Sequence, residues 1–333
     1  MRESLIDPFG RRIDYLRVSV TDRCNYRCFY CIPPGGVEAA ARSEFLSYEE
    51  LSRLIGLFAG LGVSKVRFTG GEPLIRRDMV ELVRQVAGLP GVRDLSLSTN
   101  AHLLERFAGD LYRAGIQRVN ISLDTLDHAT FARITGGGDL EQVLRGIDAA
   151  LQAGMQPVKL NMVIMKGLNE HEIERMLDFA LGRGADLRFI ETMPVGRAGR
   201  QGSAAHYYPA DKVLERIRDH CGKDLVPVKG SRGAGPASYY QIGGGPVRIG
   251  VISAISRHFC KGCNRVRLTA RGDLVLCLGQ EDTVPLGHGL RDGWNDEELV
   301  QKIREAIARK PERHQFGEGG DQVRFRDMST IGG

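Results

Sequence analysis

A regular alternation of strand and helix patterns constrains the fold of this 333-residue chain more than any other feature. Apolar runs rich in β-branched and aromatic residues predict strands at residues 15–20, 65–69, 94–99, 118–123, 158–164 and 187–191. Between most of them, apolar residues recur at helical spacing, over residues 47–61, 78–87, 103–114, 140–153 and 170–181. Strands that alternate with helices in this way indicate parallel β/α units.

The polarity of the strand patterns favours a barrel over a flat sheet. Residues 158–164 alternate polar with apolar side chains, as expected when one strand face looks into a barrel and the other packs on helices. The predicted fold class is therefore α/β, a partial (β/α)6 TIM-like barrel. Because a complete barrel of this type has about eight strands, six repeats leave a lateral opening that another segment must cover.

The pattern loosens after residue 191. Residues 195–205 contain glycine and serine, and residues 229–246 carry glycine at many positions, which predicts loops. We place a domain boundary near residue 230, between a barrel over residues 1–230 and a C-terminal region over residues 231–333. In the second region, residues 247–252 and 273–278 predict short strands and residues 297–309 predict a helix.

Composition excludes several classes of protein. The net charge of +5 is mild and the basic residues are scattered, which argues against a nucleic-acid binder. No apolar run approaches the roughly 18–20 residues needed to cross a bilayer, and the first residues lead into no apolar signal core, so we expect a cytoplasmic protein without membrane contact. Seven cysteines in such a chain indicate metal binding rather than disulfides.

Six of the cysteines form two groups of three, namely Cys24, Cys28 and Cys31, and Cys260, Cys263 and Cys277. Structural zinc sites use four protein ligands, and iron–sulfur cubanes are normally held by four thiolates. A set of three therefore suggests a metal with one open coordination position. A zinc site is the alternative for the first group, although no fourth ligand lies nearby in the sequence.

Basic residues inside the strand runs point to an anionic ligand. Arg17, Arg67 and Lys159 lie in predicted strands, and Arg265 and Arg267 follow the second cysteine group. Charges that point into a barrel are costly unless they meet an opposite charge. The chain has no G-x-x-x-x-G-K-[ST] loop, so phosphate charge would have to be met by side chains. The alternatives are pairing with Asp or Glu for Arg17 and Lys159, and a solvated strand edge for Arg265 and Arg267.

The spacing C-x3-C-x2-C, followed by the strand end Gly70-Gly71-Glu72-Pro73, resembles the radical S-adenosylmethionine (SAM) superfamily. Within it, a second group of three cysteines followed by Asn264-Arg265-Val266-Arg267, on a chain that ends in Gly332-Gly333, is similar to the GTP 3′,8-cyclases of molybdenum cofactor biosynthesis. The resemblance covers nearly the whole chain. It implies SAM and two [4Fe–4S] clusters as cofactors, one cluster held by each cysteine group.

The resemblance also implies roles for individual residues. SAM would contact Tyr30, Gly71, Ser122 and Met193. GTP would contact Arg17, Arg67, Ser98, Lys159, Arg265, Val266 and Arg267. The terminal Gly332 and Gly333 would reach into the active site, and Glu72 would bond either backbone or the SAM amino group.

The implied reaction is the conversion of GTP and SAM to (8S)-3′,8-cyclo-7,8-dihydroguanosine 5′-triphosphate, 5′-deoxyadenosine and methionine. The implied partners are GTP, an external one-electron reductant and the downstream cyclic pyranopterin monophosphate synthase, and a homodimer is compatible with the resemblance. Two other readings stay open at this point. One is a different radical SAM reaction with an auxiliary cluster, and the other is a non-enzymatic zinc-ribbon-type binding module.

Overall fold

The computed structural model describes residues 4–37, 40–228, 235–316 and 326–332. Its strands are β1 (Tyr15–Ser19), β2 (Lys65–Thr69), β3 (Asp94–Thr99), β4 (Arg118–Ser122), β5 (Val158–Ile164), β6 (Asp186–Glu191), β7 (Leu225–Pro227), β8 (Ser238–Ile242), β9 (Arg248–Ile252), β10 (Arg265–Leu268), β11 (Asp273–Val275) and β12 (Thr283–Pro285). Its α-helices are α1 (Tyr48–Gly60), α2 (Met79–Ala87), α3 (Leu104–Ala114), α4 (His128–Thr135), α5 (Leu140–Gln152), α6 (Ile173–Arg183), α7 (Gly196–His206), α8 (Ala210–Cys221), α9 (Leu286–Arg291), α10 (Asp296–Ile307) and α11 (Met328–Ile331).

The strands of the described residues form one sheet in the order β12-β11-β10-β1-β2-β3-β4-β5-β6-β9-β8-β7. Strands β1 to β6 are parallel neighbours in sequence order, which confirms the predicted β/α units. The C-terminal region extends both edges, because β10 pairs in parallel with β1 and β9 pairs in parallel with β6. The predicted partial barrel is therefore flanked on each side by strands from the second part of the chain.

The strands present two different faces. On β1, Leu16 and Val18 are fully buried in the main apolar core, which also holds Phe58 of α1. The intervening Arg17 lines an internal cavity instead. Because successive strand side chains point to opposite faces, apolar residues pack outward on the helices and polar residues face inward.

The prediction of a loop at residues 195–205 is wrong, because this segment forms α7. Glycine disfavours a helix by about 1 kcal/mol relative to alanine, and Gly196, Gly199 and Gly202 gave this stretch its loop-like composition. Tertiary contact explains them. A Cβ on Gly199 would lie 2.7 Å from the carbonyl oxygen of Met193, and one on Gly202 would lie 3.4 Å from Cβ of Tyr30. Close packing of α7 against the site therefore outweighs its low helix propensity.

The second predicted loop, at residues 229–246, is also wrong in part, because β8 lies within it. This short strand pairs antiparallel with β9, so the sheet stabilises it where the local sequence gives little strand signal. Residues 229–234 lie outside the described part of the chain, and the boundary near residue 230 stays a prediction.

The sheet register places the two cysteine groups at opposite ends of the barrel. Cys24 follows the carboxyl end of β1. Cys263 precedes the amino end of β10, and Arg265 pairs with Tyr15 at the amino end of the parallel β1. Cys277 follows β11, which runs antiparallel to β10 and so ends at the same side. One group thus lies beyond the carboxyl ends of the strands and the other beyond their amino ends.

Candidate active site

A cavity of about 330 Å³ connects the two cysteine groups through the barrel. Most of the residues predicted for the site line it, namely Arg17, Cys24, Cys28, Tyr30, Cys31, Arg67, Gly71, Ser98, Ser122, Met193, Cys260, Cys263, Arg265, Val266, Arg267 and Cys277. Lys159 and Gly332 lie outside this lining, and Gly333 lies outside the described residues. The fold therefore gathers residues that are up to 260 positions apart in sequence.

Two glycines bring the end of β2 against the loop that carries the first cysteine group. The amide of Gly71 donates to the carbonyl of Thr21 at 2.8 Å, and the amide of Glu72 donates to the carbonyl of Arg23 at 2.8 Å. A Cβ on Gly70 would lie 2.5 Å from the Thr21 oxygen, and one on Gly71 would collide with the Arg23 carbonyl. Glycine is needed at both positions because the two backbones touch.

Glu72 bonds protein groups of the same end of the barrel. Its carboxylate accepts from the amide of Leu74 at 3.0 Å, the hydroxyl of Thr99 at 2.7 Å and the amide of Asn100 at 2.7 Å. The side chain is fully buried, and burial raises the pKa of Glu72 to about 7 against the effect of these bonds. Of the two roles left open by the sequence, the structure shows backbone bonding that ties β2 to β3.

The first cysteine group fits a multi-iron cluster better than a single ion. Burial raises the pKa of Cys24 to about 11 and that of Cys31 to about 12, and it also raises the pKa of Cys28 well above its ordinary value. Thiolates at this site therefore need a bound metal to be stable. Zinc–sulfur bonds of about 2.3 Å draw ligands tightly together. Within the described part of the chain, the side chains close enough to share one ion are His258, Cys260 and His314, and not the three cysteines of this group.

Tyr30 and Met193 both line the cavity, and neighbouring residues fix their positions. The Tyr30 hydroxyl donates to Asp124 at 2.6 Å, and the other oxygen of Asp124 accepts from the amide of Val163 at 2.8 Å. Burial raises the pKa of Asp124 to about 6. Helix α7 packs on the Met193 carbonyl and on Tyr30, so it fixes both residues at the cavity wall.

Three arginines stand side by side on neighbouring strands in the middle of the cavity. Arg17 pairs in register with Arg67 on one side and with Arg267 on the other. Neighbouring strands are about 4.8 Å apart, so the guanidinium groups are crowded. Burial, together with the neighbouring arginines, lowers the pKa of Arg17, and burial lowers the pKa of Arg67 and of Arg267 to about 10. Like charges at this spacing favour an anionic ligand.

Two further cavity residues were missed from the sequence. Arg188 on β6 is 4% exposed, and its Nε and Nη2 have no hydrogen-bond partner among the described residues. The same holds for the hydroxyl of Tyr15, which is buried beneath the Arg67 guanidinium. The signal for Arg188 was present, since it is a charged residue inside an apolar strand run. Unsatisfied buried donors that face a cavity are expected to meet a bound acceptor.

Lys159 lies on the same strand face as Asn161 but outside the cavity lining. Its Nζ donates to the hydroxyl of Tyr239 at 3.1 Å and lies 3.9 Å from a carboxylate oxygen of Asp186. This is the pairing that the sequence left open as an alternative. A direct contact between Lys159 and GTP stays a prediction.

The second cysteine group lies in basic surroundings. Burial acts to raise the pKa of Cys263, but Lys310, Arg265 and Arg11, with a backbone hydrogen bond, together lower that pKa, whereas burial raises the pKa of Cys277. Arg11 donates from Nη1 to the Cys260 carbonyl at 2.9 Å. Three cysteines beside cations suit an anionic thiolate cluster.

Two histidines also approach the second cysteine group. His258, Cys260 and His314 offer donor atoms close enough to share one metal ion, and His258 Nδ1 lies 3.4 Å from His314 Nε2. The sequence showed no ligand spacing for these histidines, because His314 lies 56 positions from His258. Among the described residues these three donors could share a single ion, whereas the zinc site weighed from the sequence concerned the first cysteine group.

The tail approaches the row of arginines. Arg267 donates from Nη1 to the carbonyl of Gly332, and Met328 and Ser329 line the cavity. Gly332 has a φ of 73°, and a Cβ there would lie 2.5 Å from Cγ2 of Thr69. Only glycine fits this conformation and this gap.

Comparisons with known proteins agree with this geometry. A family model described as the radical SAM superfamily matches residues 18–180, and one described as Molybdenum Cofactor Synthesis C matches residues 185–316. A GTP 3′,8-cyclase of Hydrogenovibrio crunogenus is 51% identical over 331 residues, which cover 99% of this chain and 100% of the relative. The chain belongs to the GTP 3′,8-cyclase family. A second GTP 3′,8-cyclase, of Pelotomaculum thermopropionicum, is 46% identical over 327 residues, which cover 98% of this chain and 99% of the relative.

Membership of the GTP 3′,8-cyclase family confirms the family, the enzyme class and the cofactors predicted from the motifs: SAM and two [4Fe–4S] clusters. Among solved structures, Streptococcus suis SuiB bound to S-adenosylmethionine has a TM-score of 0.62 at 16% identity, over 89% of this chain and 69% of that chain. At that identity the likeness concerns the fold alone, and it supports the partial barrel. Among the described residues, no helix is both long and apolar enough to cross a membrane.

Proposed function

We propose that this GTP 3′,8-cyclase family member converts GTP and SAM to (8S)-3′,8-cyclo-7,8-dihydroguanosine 5′-triphosphate, 5′-deoxyadenosine and methionine. The observation that carries the proposal is the placement of the row Arg67, Arg17 and Arg267 between two cysteine groups at opposite ends of one cavity. A triphosphate is the kind of ligand that compensates such a row. The cavity then holds one substrate with a cluster site at each end.

The residues of the carboxyl end of the barrel form the SAM subsite in this proposal. Cys24, Cys28 and Cys31 would hold the first cluster, and Gly71, which lines the cavity beside them, would contact SAM. Tyr30, fixed by Asp124, and Met193, fixed by α7, wall this subsite. When bound, the cluster and SAM supply the one-electron cleavage that starts radical chemistry.

The middle and the amino end of the barrel form the GTP subsite. Arg17, Arg67, Arg188, Arg265 and Arg267 line it, so the triphosphate would be neutralised by side chains. Cys260, Cys263 and Cys277 would hold the second cluster, with the purine next to it. Ser98 and Val266 line the same wall, and the tail at Gly332 packs against Arg267. The enclosed barrel keeps water and other C–H bonds away from the reacting ribose.

Anaerobic turnover with a chemical reductant tests the reaction. Formation of 5′-deoxyadenosine from SAM is expected to depend on GTP, and the cyclised triphosphate should accumulate with it. If 5′-deoxyadenosine formed at the same rate with and without GTP, and no GTP were consumed, a different radical SAM reaction with an auxiliary cluster would take the place of this proposal.

Metal analysis tests the cluster assignment against the zinc reading. Two four-iron clusters require about eight irons with matching sulfide per chain. Zinc bound at His258, Cys260 and His314 without sulfide would contradict the second cluster, and zinc at both cysteine groups would remove the redox chemistry altogether.

We also propose the cellular setting. The chain would work in the cytoplasm, take electrons from an external one-electron reductant and pass its product to cyclic pyranopterin monophosphate synthase. It would bind neither membrane nor nucleic acid, and it could assemble as a homodimer. Size measurement of the cluster-loaded protein tests the last point.

A further inference from the structure

Lys310 is a buried cation beside the second cysteine group that the proposed reaction does not use. It follows α10 and is 2% exposed. Its Nζ donates to the carbonyl of Leu276, the residue next to Cys277. Within the described part of the chain, no carboxylate lies within ion-pair distance of this ammonium group.

The charges around Lys310 point to the cysteines as its counterions. Lys310 bonds the residue that precedes Cys277, and Leu276 lines the same end of the cavity as Cys260, Cys263 and Cys277. An ammonium group in the protein interior is stable only when it is paired, so neutral thiols would leave Lys310 without compensation.

Arg11, another cation at this end of the barrel, has a different role from Lys310. The Nε of Arg11 is paired with Asp7 at 2.5 Å, so its charge is already balanced. Its remaining donors bind carbonyls, those of Cys260 at 2.9 Å, Pro311 at 2.6 Å and Glu312 at 2.6 Å. Arg11 therefore holds the backbone of the cysteine loop against the segment after Lys310, whereas the charge of Lys310 has no carboxylate partner among the described residues.

We propose that Lys310 is the counter-cation of the second cluster and raises its reduction potential. The inference rests on the proposed function, because it needs a cluster on Cys260, Cys263 and Cys277. Reduction adds one electron and so one negative charge to a cluster, and a fixed ammonium group nearby stabilises the reduced form more than the oxidised one. Lys310 acts through the cluster and is a positioning residue, not a catalytic one.

The test is a redox titration of the second cluster, followed by electron paramagnetic resonance with dithionite as the electron source. The full-length chain carries Cys24→Ala, Cys28→Ala and Cys31→Ala, so that only the second cluster gives a signal. Into this background go Lys310→Met, Lys310→Gln and Lys310→Arg. Lys302→Met is the matched control, because Lys302 is a half-exposed lysine on α10 that bonds Glu305.

Loss of the charge should lower the midpoint potential. At the midpoint potential of the Lys310 protein, the ratio of reduced to oxidised cluster should fall at least tenfold in Lys310→Met, a shift of about 59 mV for one electron. Lys310→Gln should behave in the same way. In Lys310→Arg and Lys302→Met, the ratio of reduced to oxidised cluster should stay within about threefold of the parent ratio. A threefold change in this ratio corresponds to roughly half of the potential shift expected for Lys310→Met.

Iron and sulfide content separates failure of this inference from failure of the proposed function. If the background protein with Lys310 binds no iron, the second cluster is absent and the proposed function fails with it. If iron is retained and the potential of Lys310→Met is unchanged, only the role of Lys310 is overturned. Loss of iron in Lys310→Met and Lys310→Gln but not in Lys310→Arg would support charge compensation, and loss in all three would overturn it.

Discussion

Among the described arginines that line the cavity, Arg188 has the most buried side-chain nitrogens without a hydrogen-bond partner. Its Nε and Nη2 lack partners among the described residues, and it pairs in register with Asn161 on β5 and Gly250 on β9. A Cβ on Gly250 would lie 2.7 Å from Cγ of Arg188, so the small residue makes room for the arginine. The absence of a side chain at Gly250 thus leaves space for Arg188, and the two donors without partners are available to a ligand in the cavity.

We expect Arg188→Met to weaken GTP binding at least tenfold, because a charged hydrogen bond to phosphate contributes about 1.5–3 kcal/mol. Iron content should be unchanged, since Arg188 contacts neither cysteine group. Equilibrium binding of GTP under anaerobic conditions measures the effect. Arg183→Met is the control, as Arg183 bonds Asp148 outside the cavity; equal GTP affinity of the Arg188 variant and the parent would refute the role.

Glu72 gives a pH dependence of stability with a defined sign. Its pKa is raised by burial to about 7, from an ordinary value of about 4.3. A carboxyl group that holds its proton more tightly in the folded chain stabilises the fold fully below the ordinary pKa. That contribution is lost as the pH rises from about 4.3 to about 7.

Because glutamine does not titrate, Glu72→Gln should remove this loss of stability. The melting temperature of the variant minus that of the parent should therefore be larger at pH 8 than at pH 5. Anaerobic thermal unfolding of the cluster-loaded protein across that range measures the difference. The exposed Glu81, which pairs with Arg84, provides the control substitution Glu81→Gln. A difference that is constant with pH would show that Glu72 does not titrate in this window.

At the scale of elements, local pattern identified the strands of the barrel and failed where tertiary contact decides. The six predicted runs became β1 to β6 with ends shifted by at most one residue, since period-two alternation and burial agree in them. Helix α7 could not be foreseen, because its glycines are explained only by contacts with Met193 and Tyr30. The opposite placement of the cysteine groups was equally hidden, because it depends on β10 pairing with β1.

For the site as well, the sequence showed which residue types are present but not which of them the fold brings into contact. Cysteine spacing and charged residues inside strands were visible in the sequence, and apart from Lys159 those residues line the cavity. Asp124 behind Tyr30, and His314 beside Cys260, are joined only by the fold. Lys159 shows the reverse case, because a lysine on an inward strand position turned out to bond Tyr239 and Asp186.

A further prediction concerns the contact between the end of β2 and the loop that carries the first cysteine group. We expect Gly71→Ala to displace Cys24, because the added methyl group would collide with the Arg23 carbonyl. About four of about eight irons should be lost, with the second cluster retained. Iron and sulfide analysis measures this. Gly60→Ala is the control, since a Cβ there has no neighbour within 4 Å; a full iron complement in the Gly71 variant would contradict the close approach.

At the scale of the whole molecule, substitutions in one cysteine group should abolish the function of that group and leave the other cluster in place. Replacing Cys24, Cys28 and Cys31 with alanine should abolish SAM cleavage and leave about four irons. Replacing Cys260, Cys263 and Cys277 should leave a reducible first cluster and chiefly weaken GTP binding and cyclisation. Iron analysis, GTP binding and 5′-deoxyadenosine formation on both proteins test this. Unchanged GTP affinity and product in the second protein would show that its cluster does not bind the purine.

The central claim is that one cavity brings a SAM-derived radical to the ribose of GTP. Turnover of GTP deuterated at the ribose 3′ position tests it most directly, with mass analysis of the nucleoside product. The account predicts 5′-deoxyadenosine that carries one deuterium, formed together with the cyclised triphosphate. Unlabelled 5′-deoxyadenosine formed at full rate, with deuterium retained in GTP, would contradict it.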